Sequence, residues 1–251
     1  NRDLHVRSRR QRQMCIRYIT ISCLFFADDL VLISKTSNEM EQLLEVVTKW
    51  NQGWKMDISV KKSKGMSRPE GEGNFKTYDT IKGETKILDE VLFFKYLGVN
   101  IQIGPRKFYQ KYNEHVVNTA KNYMYNVLSL SKSGPDTAQV ARTLWVNCAL
   151  PSILYGIEVC VLLKKTIEEL ERIQARVGKF ILQLPLNSTN TLSSFDAGLE
   201  PIKSLMIKKK LEFQNRLLTL PTNWWVRKAY MEQTKMGRES IYMRDIIKLR
   251  K

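Results

Sequence analysis

Apolar and polar residues alternate near the start of the chain. The alternation covers positions 19–23, an apolar run fills positions 30–33, and the short acidic segment 27–29 (Ala-Asp-Asp) separates the two. Two strand-like stretches around a short turn are typical of a β-hairpin, which we predict over residues 18–35. Because both flanks of the acidic segment are apolar, we expect the body of this hairpin to be buried.

A helix is predicted next, over residues 37–54. Thr36 is followed three positions later by Glu39, the spacing of a capping box at a helix N-terminus. Apolar residues then recur every three or four positions, at Met40, Leu43, Leu44, Val47, Trp50 and Trp54. This spacing is typical of an amphipathic helix.

Short strands are predicted after this helix. The alternation at 58–60 indicates one of them, and Pro-Glu-Gly-Glu-Gly-Asn at 69–74 indicates an exposed loop. From 75 to 103 the pattern indicates further strands, with a turn at 82–84 and a break at Gly98. Strands mixed with one helix predict an α+β unit.

Helical periodicity replaces this pattern beyond residue 104. Helices are predicted at 106–131, 136–155, 166–184 and 201–219, the third with a capping box at Thr166 and Glu169. The predicted fold class is therefore α+β: antiparallel strands with one packed helix, followed by an all-α domain. We assign 1–17 to a basic linker or truncated start, 18–104 to the α+β part and 105–220 to the helical domain, and leave 221–251 open.

The chain is strongly basic and otherwise globular in composition. Of its 251 residues, 43% are hydrophobic and 26% are charged, which argues against disorder. A net charge of +16 favours a polyanionic partner, with nucleic acid ahead of a membrane surface. Residues 1–104 carry 17 basic and 13 acidic groups, whereas 105–251 carry 24 and 12. Nucleic-acid contacts are therefore expected mainly in the second part.

Cysteine and histidine usage argues against two common kinds of site. Four scattered cysteines without a CxxC pair, and only two histidines, fit neither a zinc site nor a disulfide framework. The most apolar stretch, 148–163, is too short to span a bilayer and contains Pro151 and Glu158. With no signal peptide recognised, we expect an intracellular protein of the nucleus or cytoplasm, neither secreted nor bound to a membrane.

Asp28 and Asp29 are the most informative pair of residues. Adjacent carboxylates within apolar sequence repel each other and lose hydration, so a compensating cation is expected. Mg²⁺ is usually held by one or two carboxylates together with substrate phosphates, and two such ions would serve a phosphoryl transfer. The alternative is a hydrated turn that simply favours Asp.

Further segments follow the acidic pair in a particular order. They are Phe26–Leu32, Trp54–Met56 with Ile58–Lys64, Phe94–Val99, Pro151–Glu158, and Leu170–Leu182 with Gly198–Ile202. In this order they resemble the C-terminal palm and thumb of the reverse transcriptases of non-long-terminal-repeat (LINE-type) retrotransposons. The resemblance implies RNA-directed DNA synthesis by two-metal nucleotidyl transfer to a primer 3′ end.

The resemblance also implies a role for individual residues. Asp28 would bind the metal, Mg²⁺ or alternatively Mn²⁺, with Asp29 as a nearby carboxylate and less certainly a ligand. Phe26 would contact the primer terminus or the incoming nucleotide, and Lys62 would protonate the leaving pyrophosphate. The primer would be gripped by Tyr96, Leu97 and Gly98. The implied partners are an RNA template, a DNA primer or RNA–DNA duplex, and dNTPs, whereas the oligomeric state is not indicated.

Simpler interpretations of these residues stay open. Phe26 is equally consistent with a core aromatic, Lys62 with a solvated basic face, and Gly98 with a bulge or turn. The sequence also departs from the family, with Ser59 where Asn is usual and Cys160 where Trp is usual.

Two further family features are not recognised in these residues: the strand with the first palm Asp and the Gln-Gly-x-Pro-like helix. The isolated chain is therefore predicted to be inactive. The alternatives are a non-catalytic nucleic-acid-binding remnant of a retroelement and, less favoured, an unrelated basic helical interaction protein.

Basic side chains in the helical part suggest where phosphate binds. Arg172, Arg176 and Lys179 share one face of a predicted helix and form a candidate phosphate-binding stripe, with a solvated helix face as the alternative. The consecutive lysines 208–210 cannot all face one groove, because successive residues are about 100° apart around a helix. Base stacking or core packing is open for Trp145, Trp224 and Trp225.

Overall fold

The computed structural model describes residues 22–56, 58–67, 75–79, 84–102, 109–133, 136–237 and 240–249. The predicted linker 1–17, the first strand positions 18–21, the loop 69–74 and part of the turn at 82–84 lie outside these residues. The chain divides into two compact units. Unit 1 contains residues 1–96 and 100–108, and unit 2 contains residues 97–99 and 109–251.

Short strand pairs and one helix make up the N-terminal part of the described chain. The elements are β1 (Cys23–Phe26), β2 (Asp29–Leu32), α1 (Ser37–Trp54), β3 (Lys76–Asp79), β4 (Glu84–Ile87), β5 (Phe93–Tyr96) and β6 (Val99–Gln102). Strands β1 and β2 are antiparallel, as are β3 and β4, and β5 with β6 forms a third two-stranded sheet. The strand predicted at 58–60 is wrong, because the Ser59 carbonyl accepts the N–H groups of Lys62 (3.0 Å) and Ser63 (2.8 Å) in a turn.

Helix α1 begins and ends where the sequence predicts. The Thr36 hydroxyl accepts the Glu39 N–H at 3.2 Å, and the Glu39 carboxylate accepts the Lys35 N–H at 2.9 Å. The first bond is the predicted half of the capping box, while the second goes one residue further back than in the standard motif. At the other end Lys55 adopts a left-handed conformation, with φ of 53°, and ends the helix.

Helices make up the rest of the described chain. They are α2 (Gln110–Leu130), α3 (Thr137–Leu144), α4 (Leu150–Ile153), α5 (Lys164–Ile181), α6 (Asn190–Asp196), α7 (Ile202–Thr219), α8 (Trp225–Met236) and α9 (Ile241–Leu249). The predicted α+β class, with strands first and helices after them, is confirmed. No helix among the described residues has the length and apolar character needed to cross a membrane.

The helix predicted over 136–155 contains a proline and accommodates it with a wide turn. A turn of π-helix at Trp145–Ala149 joins α3 to α4, and the Leu150 N–H donates to the Trp145 carbonyl. Pro151 has no N–H, and its ring would crowd the carbonyl four residues earlier in a regular α-helix. The wide turn relieves this conflict locally. The chain then leaves the helix before Gly156, which has a φ of 76°.

The capping box predicted at Thr166 is wrong, since α5 begins two residues earlier. Its N-cap is Leu163, which makes no side-chain cap, and Thr166 is buried inside the first turn. The amide of Asn113 fixes this start from α2. Its Nδ2 donates to the Val161 carbonyl at 3.1 Å and its Oδ1 accepts the Leu163 N–H at 2.9 Å. A tertiary hydrogen bond therefore takes the place of a local cap.

Unit 2 has a continuous apolar core. Its largest fully buried side chains include Trp145, Tyr112 and Ile153, and helices α2 to α5 and α7 all contribute. A second cluster joins α7 to α8 and α9 through Leu217, Tyr230, Tyr242, Met243 and Ile246. The segment 221–251, which the sequence left open, is thus helical over most of its length and is packed.

Candidate functional site

The acidic pair lies at the tip of the β1–β2 hairpin. Phe26 pairs with Asp29, so the loop consists of Ala27 and Asp28 alone. Two-residue loops of this kind need a positive φ at their first residue, where glycine or asparagine is usual. Ala27 occupies that position with a φ of 53°. This strained conformation costs about 1 kcal/mol or more and, at a tight loop, is a reason to look for function.

Both carboxylates of the hairpin are exposed. Asp28 occupies the loop and Asp29 begins β2. Their oxygens are the ligands that Mg²⁺ prefers, so the chemistry of this pair fits the expected metal. Among the described residues, however, no group of three or more Asp, Glu, His or Cys side chains is arranged to hold a metal ion. The hairpin therefore offers a partial ligand set.

The expected burial of the hairpin body is not observed. Phe25 is 67% exposed and Phe26 is 61% exposed. The reason is that, among the described residues, β1 and β2 form a sheet of two strands, and no described segment covers these rings. Phe26 is thus not a core aromatic in this structure, and its face is available to a ligand.

Lys62 is exposed at a turn. Its backbone N–H donates to the Ser59 carbonyl at 3.0 Å within the turn, and its side chain is exposed. Nearby Lys64 differs, because its ammonium pairs with the carboxylate of Asp89. The exposure of the Lys62 side chain is compatible both with the proton-donor role and with a solvated basic face.

The predicted primer-gripping residues form the turn between β5 and β6. Leu97 and Gly98 both have positive φ, of 46° and 82°, as the type I′ form of a two-residue hairpin loop requires. The Tyr155 hydroxyl donates to the Leu97 carbonyl at 2.9 Å. A Cβ on Gly98 would lie 2.9 Å from the Tyr155 ring, so glycine is required by space as well as by φ. Gly98 is therefore a turn glycine, and the sequence did not single out Tyr155.

The candidate phosphate stripe on α5 is divided by burial. Arg172 and Arg176 are exposed, and the Arg172 guanidinium pairs with Glu169 at 2.9 Å. Lys179 is only 6% exposed, and its ammonium donates to the Leu186 carbonyl and to Asn190 Oδ1, each at 2.7 Å. The structure therefore keeps Arg172 and Arg176 on the surface and places Lys179 beneath it.

Burial also separates the other basic and aromatic candidates. Lys210 is fully buried, where its ammonium donates to the Cys160 carbonyl at 2.7 Å and pairs with Asp245. Trp145 is 1% exposed and donates its indole N–H to Gln174 at 3.2 Å, so it packs in the core. Trp224 and Trp225 are about half exposed.

The strongest pKa shifts in unit 2 do not mark a catalytic acid or base. Burial raises the pKa of Cys160 to about 12; Lys210 opposes this and Glu158 adds to it. Burial likewise raises the pKa of Tyr109 and Tyr242 to about 12 and raises the pKa of Tyr112. These groups hold their protons at neutral pH and make poor nucleophiles or bases there.

The β1–β2 hairpin thus combines exposure, a strained residue at Ala27 and two adjacent carboxylates inside an α+β fold. Residues 3–101 match the family model described as reverse transcriptase (RNA-dependent DNA polymerase). The match contains the β1–β2 hairpin, Lys62 and the turn at Leu97-Gly98, and it ends before the helices of unit 2. No curated protein matches the chain. No solved structure matches it either.

Proposed function

We propose that this chain is the C-terminal palm and thumb portion of a LINE-type reverse transcriptase. In such an enzyme it extends a primer 3′ end on an RNA template by nucleotidyl transfer. The observation that carries the proposal is the exposed two-residue loop with Asp28, strained at Ala27, inside the segment that matches the reverse transcriptase family. The order of the later segments, through Gly198–Ile202, supports the LINE-type assignment.

Asp28, with Asp29 beside it, would hold Mg²⁺ or Mn²⁺. When bound, the metal would stabilise the charge that develops on the attacking and leaving oxygens. The exposed ring of Phe26 provides a flat apolar face against the primer terminus or the incoming nucleotide. The exposed ammonium of Lys62 donates a proton to the leaving pyrophosphate.

The turn between β5 and β6 would position the primer. It is held rigid by two residues with positive φ, Leu97 and Gly98, and by the hydrogen bond from Tyr155. A rigid turn suits this task, because a primer end displaced by about 1 Å loses much of the advantage of orientation. Tyr96 is the last residue of β5 and directly precedes this turn.

The helical part would contact nucleic acid through phosphates. It carries 24 basic and 12 acidic groups, and Arg172 and Arg176 expose their guanidinium groups on one helix. Contacts of this kind bind tightly at low salt and read little sequence. The proposed setting is intracellular, in the nucleus or cytoplasm, where template RNA is present.

We propose further that these 251 residues are inactive alone. The described residues contain no cluster of three metal-binding side chains, so a further carboxylate is needed to complete a two-metal centre. The same observation favours a second candidate, a non-catalytic nucleic-acid-binding remnant. The genomic sequence upstream of Asn1 separates the two. An open frame with an Asp-bearing strand and a Gln-Gly-x-Pro-like helix supports the enzyme, and a stop codon supports the remnant.

The test of catalysis is primer extension on a primed RNA template with Mg²⁺ and with Mn²⁺. The 251-residue chain is expected to incorporate nothing above an Asp28→Asn control. In the longer protein that the proposal implies, Asp28→Asn should abolish synthesis while leaving nucleic-acid affinity nearly unchanged, because a metal ligand acts mainly in the transition state. Asp136→Asn is the matched control, since Asp136 is an exposed helix cap of unit 2. Synthesis near the parental rate with Asn at 28 would contradict the proposal.

A further inference from the structure

Unit 2 contains a basic cleft that lies outside the hairpin site. Its volume is about 480 Å³, within the range of small-molecule sites. The end of α2, the start of α3, the last turns of α5 and the segment after α5 form its walls. Three cations line it, Lys132, Arg176 and Lys179, and no carboxylate is among the described residues of its lining.

Lys179 gives the cleft a buried positive charge. Its ammonium has two hydrogen-bond acceptors, the Leu186 carbonyl and the amide oxygen of Asn190, and both are neutral. Within the described ranges no carboxylate lies at ion-pair distance from it. Burying an ammonium without a counter-charge is costly. By comparison, the other buried lysine described, Lys210, is paired with Asp245. An anion in the cleft would supply the charge that Lys179 lacks.

The two other cations are exposed and uncompensated. Neither Lys132 nor Arg176 has an ion-pair partner in the part of the chain that the structure describes, whereas Arg172, one turn before Arg176, is paired with Glu169. The nearby carboxylate of Asp136 is engaged as the N-cap of α3, where it accepts the Gln139 N–H at 3.0 Å. The C-terminal ends of α2 and α5 each contribute about half a negative charge, which three full positive charges outweigh.

The rest of the cleft is mostly apolar, with two neutral polar side chains, Thr137 and Gln183, among its lining residues. Leu128, Phe180 and Leu184 supply aliphatic and aromatic surface next to the cations. A ligand that pairs with the cations and also packs against the apolar side chains carries a phosphate at one end and a flat, weakly polar group at the other. We infer that this cleft binds a nucleotide, with its phosphate at Lys132, Arg176 and Lys179 and its base against the apolar wall. The source is either a free nucleotide or one unit of a nucleic-acid strand, and the inference does not require metal binding at Asp28.

The experiment is a calorimetric titration of the 251-residue chain with AMP, inorganic phosphate and a 5′-phosphorylated oligo(dT). The test variant is Lys132→Gln with Arg176→Gln. The matched control is Lys165→Gln with Lys208→Gln, which removes the same charge from exposed sites outside the cleft. All four substituted side chains are exposed, so the fold should be retained, and thermal melts check this. A further titration uses Asp28→Asn.

AMP is expected to bind more tightly than phosphate, and the test variant should lose about tenfold or more in affinity, because charge-assisted hydrogen bonds are removed. The control and Asp28→Asn should bind as the parent does. Binding of the oligonucleotide alone, with the same loss in the test variant, identifies a strand as the source and also supports the inference. Equal affinity for AMP and phosphate, equal loss in the control, loss in Asp28→Asn, or no binding of any probe each overturns it.

Discussion

The two units differ in how much of their apolar surface they bury. Among the described residues of unit 1 the buried cluster consists of Leu44, Phe75 and Leu88, with a few partly buried neighbours. In unit 2 one core runs through α2 to α5 and α7, and a second cluster joins α7 to α9. Apolar burial is the main favourable term in folding, so unit 2 is expected to be the more stable of the two.

The exposure of aromatic side chains also differs between the two units. Phe26, Trp50 and Trp54 of unit 1 are 61%, 52% and 69% exposed, whereas Trp145 of unit 2 is 1% exposed. The candidate catalytic residues therefore belong to the thinly packed unit, and the basic cleft belongs to the densely packed one. Segments that bind and release ligands are commonly drawn from the less stable parts of a protein.

The largest expected difference in stability between the units is tested by replacing one tryptophan in each unit with alanine. Trp145→Ala should destabilise the chain by about 3–5 kcal/mol, because it opens a cavity and leaves the Gln174 amide oxygen without its donor. Trp54→Ala should change stability by no more than about 0.5 kcal/mol, since its ring is mostly exposed. Chemical denaturation of both variants checks the pair. Equal losses would remove the distinction between the units.

A slightly smaller effect is expected at the buried lysine of unit 2. Lys210→Met should cost about 3 kcal/mol, because it leaves the carboxylate of Asp245 without its partner in a mostly buried position. The neighbouring Lys209, in contrast, is partly exposed and only 3.5 Å from Glu158, so Lys209→Met should cost about 1 kcal/mol or less.

A double variant keeps this prediction falsifiable. Lys210→Met with Asp245→Leu removes both charges and should recover much of the loss, since an apolar pair can replace a buried ion pair. Thermal melts of the single and double variants give the comparison. A double variant less stable than Lys210→Met would show that the ion pair is not the source of the effect.

Substitutions at two glycines form a matched pair, and their expected effects on stability are of intermediate size. Gly98→Ala should cost about 1–2 kcal/mol, because its φ of 82° is unfavourable for alanine and the new Cβ would lie 2.9 Å from the Tyr155 ring. Gly53→Ala should instead stabilise unit 1 by about 0.5–1 kcal/mol, since it lies within α1 and a Cβ there has open space around it. Denaturation midpoints of the two variants should move in opposite directions.

The smallest predicted effect is a loss of stability at alkaline pH, for which the groups with raised pKa values among the described residues all lie in unit 2. Burial raises the pKa of Tyr242 from 10.0 to about 12. A group whose pKa is raised by folding contributes stability that is present below its unfolded pKa and is lost as the pH rises towards the folded value. Tyr242 therefore stabilises the chain below about pH 10, and this contribution disappears between about pH 10 and 12.

Tyr242→Phe tests the alkaline effect directly. Its hydroxyl has no hydrogen-bond partner in the described part of the chain, so the substitution should be tolerated at pH 8. The variant should lose less stability than the parent between pH 8 and pH 11 in thermal melts. Tyr125→Phe, at a residue that is 59% exposed, is the control and should follow the parent. Identical pH profiles for both variants would contradict the assignment.

Much of the fold could be predicted from local sequence. The capping box at Thr36 and the regular apolar spacing gave the bounds of α1, because a cap and a periodic face act within a few residues. The hairpin around Asp28 was predicted for the same reason, since a two-residue loop between two strands is a local structure. Local signals failed at Thr166, where Asn113, distant in sequence, decides the helix start.

The sequence proposes residues for the candidate site, but it does not show what surrounds them in the folded chain. The acidic pair was singled out from residue type and from its apolar flanks, whereas Lys62 and the turn at Gly98 were singled out by the family resemblance. Tyr155, which closes that turn, was not, because only the folded chain brings residues so distant in sequence together. The burial of Lys179 was not predictable for the same reason, since its helical spacing matches that of exposed Arg172 although α6 and the loop before it cover it.

The sequence by itself determined the α+β class, the hairpin with its two carboxylates, the bounds of α1 and the excess of positive charge in the second part. These features depend on residue type and on interactions over a few positions. The tertiary structure is needed to show which cations are exposed and which are buried, and that Lys179 in the cleft is buried whereas Lys132 is exposed. Burial depends on packing between distant segments. The residue type alone therefore does not show whether a lysine is exposed to water or buried in a core.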